Sequence, residues 1–566
     1  MRRFSHNHTV RLAALVPLMC VAVSVLASEA GKVDRGAIHH FQTSDRCIAC
    51  HNGMQTSSGD DLSIGIDWRA SMMANSARDP YWQASVRREI TDHPTAKAAI
   101  EDGCADCHMP MARTEARLRG EPGAVFAHLP VNPANPEDLE AHDGVSCSLC
   151  HQISPEKLGN PESFSGGFVI AQGDAAGVHS EFGPFEIDRG RTRIMQSSTG
   201  GFRPTQGQHI RQSELCASCH TLITTAYGAD GKAIGTFPEQ VPYQEWLHSD
   251  YRDRQTCQSC HMPQVNEDAP IVRVLGVNRP GVARHEFVAG NFFMQRMLAR
   301  YHDDLQVSAL PLELNVAADR TVKFLQTQAA HVSIGAVEMR SGRLETTVTV
   351  ENLGGHKLPT AYPSRRAWLH FIVRDRNGAV VFESGALNPD GSIRGNDNDA
   401  DPLRFEPHYR EIRTADQVQI YESILRDSTG AVTTGLISTV GYLKDNRLLP
   451  HGFDKGTADV DVAVHGDAAQ DPAFDAHGHR LRYSVDVVSG AWPFQVEAEL
   501  WYQPIGFRWA SNLKRYNTSE PRRLNSYFDS MSTASAVALA LACAPVPCRD
   551  DRNISSLKHS LEDTSP

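Results

Sequence analysis

Cys47-Ile-Ala-Cys50-His51 is the first of five stretches with one spelling. Cys104-Ala-Asp-Cys107-His108, Cys147-Ser-Leu-Cys150-His151, Cys216-Ala-Ser-Cys219-His220 and Cys257-Gln-Ser-Cys260-His261 follow it. Two thiols separated by two residues, with an adjoining imidazole, form the attachment signature of c-type haem. The thiols add across the haem vinyl groups and the histidine becomes the proximal iron ligand. In 566 residues with 13 Cys and 26 His, random placement would yield about 0.01 such stretches. Zinc is the chemical rival, because Cys and His also bind it. A zinc site needs four ligands, usually from two paired motifs, and five separate runs fit haem better. The ten motif cysteines are therefore expected to hold five covalent haems, with His51, His108, His151, His220 and His261 on the irons.

Outward from the motifs, the chain divides by pattern. First cysteines are spaced by 57, 43, 69 and 41 residues, too irregular for a tandem repeat. Residues 28–289 are rich in Gly, Pro and polar side chains with short apolar runs. Loops and short helices wrapped on porphyrins, which replace an ordinary core, are expected there. Over 290–331 the pattern turns helical: Phe293, Met297, Tyr301 and Leu305 recur every fourth residue, and Thr321 to Ala330 carries a second stripe. From 332 to 545 the period is two, as in Leu344, Thr346, Val348, Val350 and in Ala367, Leu369, Phe371, Val373. Asn377-Gly378 between two such runs predicts a hairpin. A short helix near Ser532 to Leu541 would close this half, and 546–566 is a polar tail. The expected fold is mixed: a loop- and helix-rich multihaem domain, a short helical linker and a C-terminal antiparallel β-sandwich.

The N-terminus reads as an export signal over residues 1–27. Arg2, Arg3 and Arg11 are basic, Leu12 to Leu26 is apolar, and Val25-Leu26-Ala27 offers a cleavage site. A retained anchor is the alternative, but the apolar run is short of a full span. No transmembrane span is expected after cleavage, since the next apolar stretch, Ala534 to Ala544, is shorter still. The periplasm is the expected location, with the cell surface as the alternative. Cys543 and Cys548, outside the motifs, suit a disulfide in an oxidising compartment. A net charge of −12 argues against nucleic acid. It is compatible with a cationic redox partner, though a solvated acidic surface is the commoner cause.

Each iron has a sixth position. A second histidine there makes a low-potential carrier, a methionine raises the potential, and an open position admits substrate. Before residue 331 the mature chain holds ten histidines outside the motifs. His93, His128, His209 and His285 are the leading distal candidates by local context. His356, in Gly354-Gly355-His356-Lys357-Leu358-Pro359-Thr360, is a fifth, on a turn able to cap a haem from the β half. His142, the His39-His40 pair, and Met72 or Met73 come next. Asp397, Asp399 and Asp401 begin like a calcium loop, but Pro402 and His408 stand where that loop needs Gly and Glu. A looser calcium site or a solvated acidic turn remain as readings.

Cys104-Ala-Asp-Cys107-His108-Met109-Pro110, Cys257-Gln-Ser-Cys260-His261-Met262-Pro263 and Asp143-Gly-Val-Ser-Cys147 resemble exported bacterial multihaem cytochromes c. That broad class includes the tetrahaem cytochrome of ammonia oxidisers, hydroxylamine oxidoreductase and pentahaem nitrite reductase. Phe237-Pro-Glu-Gln240, Tyr243, Trp246 and the run His356 to Trp368 look like patterns of uncharacterised members, and together the matches span most of residues 40–510. The resemblance implies cofactor rather than reaction. All five motifs here end in His, whereas pentahaem nitrite reductase has a Lys at its catalytic haem, and nothing points to the Tyr crosslink of hydroxylamine oxidoreductase.

Three functions follow. The first is an electron relay between a donor and an acceptor protein. The second is a multihaem oxidoreductase with one open iron acting on a small nitrogen or sulfur oxyanion, with Arg365 and Arg366 as candidate stabilisers. The third is a structural subunit with the haems as wiring. The sequence leaves oligomeric state open.

Overall fold

The strand Arg366–Arg374 is buried along nearly its whole length and shows how the β half is built. Its alternation sends Ala367, Leu369, Phe371 and Val373 into the main core. Trp368, on the other face, joins Ile393, Val418 and Ile420 in a second cluster. Both faces are therefore covered. In its sheet the order is Ile420–Tyr421, Arg366–Arg374, Gln495–Gln503, Val537–Ala544, with Val380–Ser384 joined through the Asn377-Gly378 turn. A facing sheet runs Glu411–Ile412, Gly478–Asp486, Arg343–Asn352, Ala330–Ile334. Phe371 of the first stacks on Tyr483 of the second at 3.7 Å. Most pairings are antiparallel; Glu411–Ile412 pairs parallel.

The computed structural model describes residues 40–487, 490–546 and 548. The leader over 1–27, His39 and nearly all of the polar tail lie outside the described residues. Among the described residues no helix is long and apolar enough to cross a membrane.

Two expectations are corrected. The stretch Ser532 to Leu541 is not a helix. The helix is Ser519–Met531, and Val537–Ala544 is a strand on Gln495–Gln503, in register from Val496 with Ala544 to Tyr502 with Val537. Alanine favours helix in isolation, but strand preference is set by packing and open backbone partners. The small side chains also let the helix Pro311–Gln328 lie close, with Gln326 Nε2 donating to the Ala538 carbonyl at 3.0 Å. Second, that helix starts well before Thr321: Pro311 occupies its first turn, and the Glu313 carboxylate accepts from the Leu310 amide at 3.0 Å. Cys543 and Cys548 form the expected disulfide.

The motif half is less coreless than its composition implies. The helix Pro80–Asp92 is capped by Asp79, which accepts from the Tyr81 and Trp82 amides. Trp82, Val86 and Ile90 build a local apolar cluster with Ile100, Ala105 and Ile437, the last from the β half. Tyr81 and Ala84 belong to the main core. From Phe41 onward the chain closes into one compact unit.

Candidate functional site

The five motifs sit on short helices or helix ends, which present the two cysteines and the histidine on neighbouring turns. The helix Lys97–His108 ends on the second motif, and Pro110 opens the next helix after the buried Met109. Before the third motif, the Asp143 carboxylate accepts from the Ser44 amide and hydroxyl, both at 2.8 Å, and from Ser146. This binds the first motif to the third. Gly144 has φ +64°, and a Cβ there would lie 2.7 Å from the Met73 carbonyl. The Asp-Gly-Val-Ser-Cys run is thus a tether.

Four of the proximal histidines share one anchoring device. His51 Nδ1 donates to the Ile271 carbonyl at 2.6 Å, and His108 Nδ1 to Ser76 at 3.0 Å. His151 Nδ1 donates to Phe182 and His261 Nδ1 to Val288, both at 2.5 Å. A carbonyl can only accept, so the proton is on Nδ1 and Nε2 keeps its lone pair. Burial holds the rings neutral, pushing His108 and His261 down to about 4. His220 is also pushed down to about 4, by burial first and then by the charges of His261 and Arg365. Trp82 lies flat on His108, ring centres 4.4 Å apart.

Motifs remote in sequence meet through their thiols. Cys47 contacts Cys147, Cys107 contacts Cys219, and Cys216 contacts Cys257. Cys150 in turn feels the charge of Cys219. The spatial order is therefore first, third, fourth, with the second and fifth both against the fourth. None of the ten thiols is in a disulfide. A cavity of about 1360 Å³ runs past the first, third, fourth and fifth motifs, larger than the ~300–1,000 Å³ of ordinary ligand pockets. The second motif lies outside its lining, against the Trp82 cluster. Free paired thiols, oriented Nε2 lone pairs and a large apolar cavity fit covalently bound haem.

Two distal candidates stand opposite proximal rings. His285 lies 6.4 Å from His151 with an interplanar angle of 21°, and His356 lies 6.2 Å from His261 at 8°. Two imidazoles on opposite sides of one metal, each nitrogen about 2 Å from it, hold their ring centres about 6 Å apart. His356 Nδ1 donates to the Lys357 carbonyl at 3.0 Å, again leaving Nε2. His128 has the same polarity, Nδ1 against Asp138 at 2.9 Å. His209 instead donates Nε2 to Ile153 at 2.9 Å, and His93 Nε2 meets Ser438 Oγ at 2.9 Å. Met72 and Met73 both line the cavity.

The His356 loop is pinned by a buried ionic cluster. Lys357 Nζ donates to Asp445 at 2.8 Å, and Arg447 bridges Asp445 and Glu245 at 2.8 and 2.9 Å. Glu245 accepts from the Lys357 amide at 3.1 Å and from the Thr360 hydroxyl. Burial alone would raise Asp445, but Arg447 and Lys357 hold it well below the carboxylate range. Glu245 lies on the helix Pro242–Leu247, with Tyr243 stacked on Trp246.

The two arginines separate. Arg365 lines the cavity and donates to the Thr360 carbonyl at 3.1 Å and to Asn291 at 3.2 Å. Arg366 is buried against both Asp399 oxygens at 2.7 and 2.9 Å. The three aspartates of the acidic turn also have partners of their own. Asp399 is neutralised by Arg366, Asp397 is paired with Arg404, and Asp401 caps the Leu403 amide.

Sequence reasoning missed Glu181, buried in the cavity wall beside Cys47, with an Oε1 that has no hydrogen-bond partner among the described residues. Burial, then the Cys47 charge, pushes it well above the usual carboxylate range. A single Glu in a short strand gives no sequence signal. A second group, His408, Asp471 and His479, has metal-like spacing within the β half. Its surroundings argue otherwise. Asn446 is fixed by the Glu422 amide and the Ile420 carbonyl, so its Nδ2 donates to His408 Nδ1 at 3.2 Å. Gln419 Nε2 donates to the same atom at 3.4 Å. The His408 proton is therefore on Nε2, given to Asp471 at 3.0 Å.

No protein-family model matches the chain, and no curated protein matches it in sequence. Among solved structures, a penta-heme cytochrome c552 from Thermochromatium tepidum is similar, with a TM-score of 0.50 at 16% identity. The match covers 90% of this chain and 100% of that one. At that identity the likeness is one of fold.

Proposed function

We propose that this chain is an exported pentahaem c-type cytochrome that relays electrons between a donor and an acceptor protein outside the cytoplasm. The observation that carries the reading is the pair of facing imidazole couples, His151 with His285 and His261 with His356, spaced at 6.4 and 6.2 Å. Haem c bound at each motif would supply a one-electron iron couple held in a fixed place. The protein's own residues do the rest. Backbone carbonyls fix four proximal tautomers, burial keeps the rings neutral, and the facing imidazoles at the third and fifth motifs would favour low-potential carriers there over open sites. Thiol contacts order the motifs into a branched line with the first at one end. His128, its Nδ1 held by Asp138, has the ligand polarity a further distal position would need. His93 and His209 have Nε2 engaged, so either would have to ligate through Nδ1. The fold shared with a penta-heme cytochrome supports the count of five. The basic and apolar leader, with the Cys543–Cys548 disulfide, supports export to the periplasm.

The test is haem-loaded protein made with c-type maturation. Pyridine haemochrome should count five haems, and EPR should show low-spin iron. His356→Ala and His285→Ala should each convert one iron to high spin. Fewer than five haems, or zinc in their place, would sink the reading.

One observation favours a second reading, an oxidoreductase. His220 and Arg365 line the same cavity, and the Arg365 cation lies close enough to His220 to help push it down. A high-spin signal worth one iron in the unaltered protein, changing with nitrite or hydroxylamine and lost in its response in Arg365→Gln, would select this reading over the relay.

A further inference from the structure

Arg365 lines the large cavity, and its side chain is held from two directions. One guanidinium nitrogen donates to the Thr360 carbonyl at 3.1 Å, and the other terminal nitrogen donates to Asn291 Oδ1 at 3.2 Å. Thr360 belongs to the His356 turn, and its hydroxyl donates to Glu245. Asn291 follows shortly after Val288, whose carbonyl accepts from His261 Nδ1. The guanidinium therefore ties together the two segments that place the facing imidazoles of the fifth motif. Gly290, between Val288 and Asn291, closes on Tyr502 so tightly that a Cβ there would lie 2.5 Å from the hydroxyl. Asn291 is thus fixed as well as Arg365.

Both partners of Arg365 are neutral oxygens, so its charge is not cancelled. Other cations nearby are paired. Arg320, in the same lining, meets Asp67 and Glu286 at 3.3 and 3.1 Å. Arg447, beneath the His356 turn, meets Asp445 and Glu245 at 2.8 and 2.9 Å. Among the described residues Arg365 forms no ion pair. Its charge acts on two proximal rings. Burial does most to push His220 and His261 down to about 4, and Arg365 adds to both. These rings belong to the fourth and fifth motifs, which touch through Cys216 and Cys257.

A fixed cation beside an iron couple disfavours the ferric state, which carries one positive charge more than the ferrous. Between low-dielectric walls that interaction is far stronger than in water. Polarity and charge around a haem are levers on its reduction potential. A haem carboxylate lying against Arg365 would leave the sign unchanged, because loss of the cation would bare that carboxylate. The fourth motif is also where the thiol contacts branch, so the cation lies where the routes through the line meet.

We propose that Arg365 sets the potentials of the fourth and fifth haems, raising both, so that its charge favours an electron on that pair. The inference rests on the relay reading above and names the residue that tunes its junction. In the transfer one electron leaves a reduced donor protein, which is oxidised by one, and one ferric iron becomes ferrous. No atom moves. A merely structural Arg365 would affect haem loading or stability and leave the potentials of loaded protein where they are.

The test is a potentiometric titration of haem-loaded protein with dithionite, followed in the visible spectrum. Arg365→Gln should lower two of the five potentials, each by about a tenfold change in its reduction equilibrium, or about 59 mV for a one-electron couple. Arg365→Lys keeps the charge and should keep both potentials near those of the unaltered protein. Asn291→Asp leaves Arg365 in place, sets a carboxylate against it, and should lower the same two. In a His356→Ala background the high-spin iron marks the fifth haem, and adding Arg365→Gln should lower its potential. Unchanged potentials in Arg365→Gln and Asn291→Asp, or an equal shift at all five haems, would overturn the assignment. So would an Arg365→Lys variant that shifts as far as Arg365→Gln, since shape rather than charge would then be the cause. If Arg365→Gln fails to load haem, Asn291→Asp decides by the same two readings. Unaltered protein with fewer than five haems, or one that dithionite cannot reduce, would overturn the relay reading beneath it.

Discussion

His261 and His356 face each other at 6.2 Å, with the Val288 and Lys357 carbonyls accepting from their Nδ1 atoms. His408 and His479 lie 4.6 Å apart, and there Asn446 and Gln419 donate to His408 while Tyr421 meets His479 Nδ1 at 3.0 Å. Both groups hold histidines at distances a metal could bridge, half-buried in the first and buried in the second. Their outer partners have opposite polarity. Carbonyl acceptors put the proton on Nδ1 and leave Nε2 as a ligand atom. Amide donors leave Nδ1 bare and put the proton on Nε2, where Asp471 takes it. Partner polarity, more than spacing, separates a ligand set from a structural hydrogen-bond network.

The largest effect expected from that contrast is at Lys357, which holds the His356 turn from below. It is fully buried against Asp445. Lys357→Met removes one member of a cluster in which Asp445 and Glu245 share Arg447. Breaking a buried ion pair typically costs about 3–5 kcal/mol. Urea unfolding of the haem-loaded variant should show a loss of that order. Its EPR spectrum should show one iron partly converted to high spin, because the loop that carries His356 loosens. A loss under about 1 kcal/mol with an unchanged spectrum would mean that the ionic cluster does not position the ligand.

A smaller effect follows from protonation in the β half. Burial first, then the nearby charge of His479, pushes His408 down to about 3, although Asp471 pulls it the other way. In the unfolded chain a histidine titrates near 6.5. Below that value the unfolded state binds the extra proton and the folded state does not. The stability contribution is present above pH ~6.5 and is lost as pH falls toward the folded value. Between pH 6.5 and 5.5 the protein should lose about 1 kcal/mol more than His408→Gln. Unfolding midpoints at the two pH values, followed by far-UV circular dichroism, give the difference. Equal slopes would mean that His408 is protonated in the folded protein and that the contrast drawn above is wrong.

The motifs were legible in the sequence because covalent attachment needs its residues side by side. Strands such as Arg343–Asn352 and Arg366–Arg374 were legible because one face enters the core and the alternation shows it. The His356 turn announced itself by its glycines: at Gly355 a Cβ would lie 3.1 Å from Tyr251. Long-range pairing was not legible. His285 follows the fifth motif in sequence but faces His151 of the third, and His209 precedes the fourth motif but donates to Ile153. Thiol contacts between motifs are of the same kind. The strand Val537–Ala544 was misread because its alanines carry helix preference locally, while its partner strand is supplied from elsewhere.

The smallest expected effect is also the sharpest test of the contrast. Zinc added to the haem-loaded protein should leave its melting temperature unchanged. For His408 to bind through Nε2, its proton must leave while two amide donors still face Nδ1. The ring would have to act as an anion among Arg410, 3.9 Å from Asp471, and Lys455, which donates to the Asp471 carbonyl at 2.7 Å. One carboxylate does not offset a dication in that setting. If zinc did bind, saturation at a hundredfold excess over Kd would add about 2.7 kcal/mol, a shift readily seen in a melt. A rise abolished by His479→Gln would show that spacing outweighs the polarity of the partners. No rise leaves His408, Asp471 and His479 as the hydrogen-bonded support of the β half.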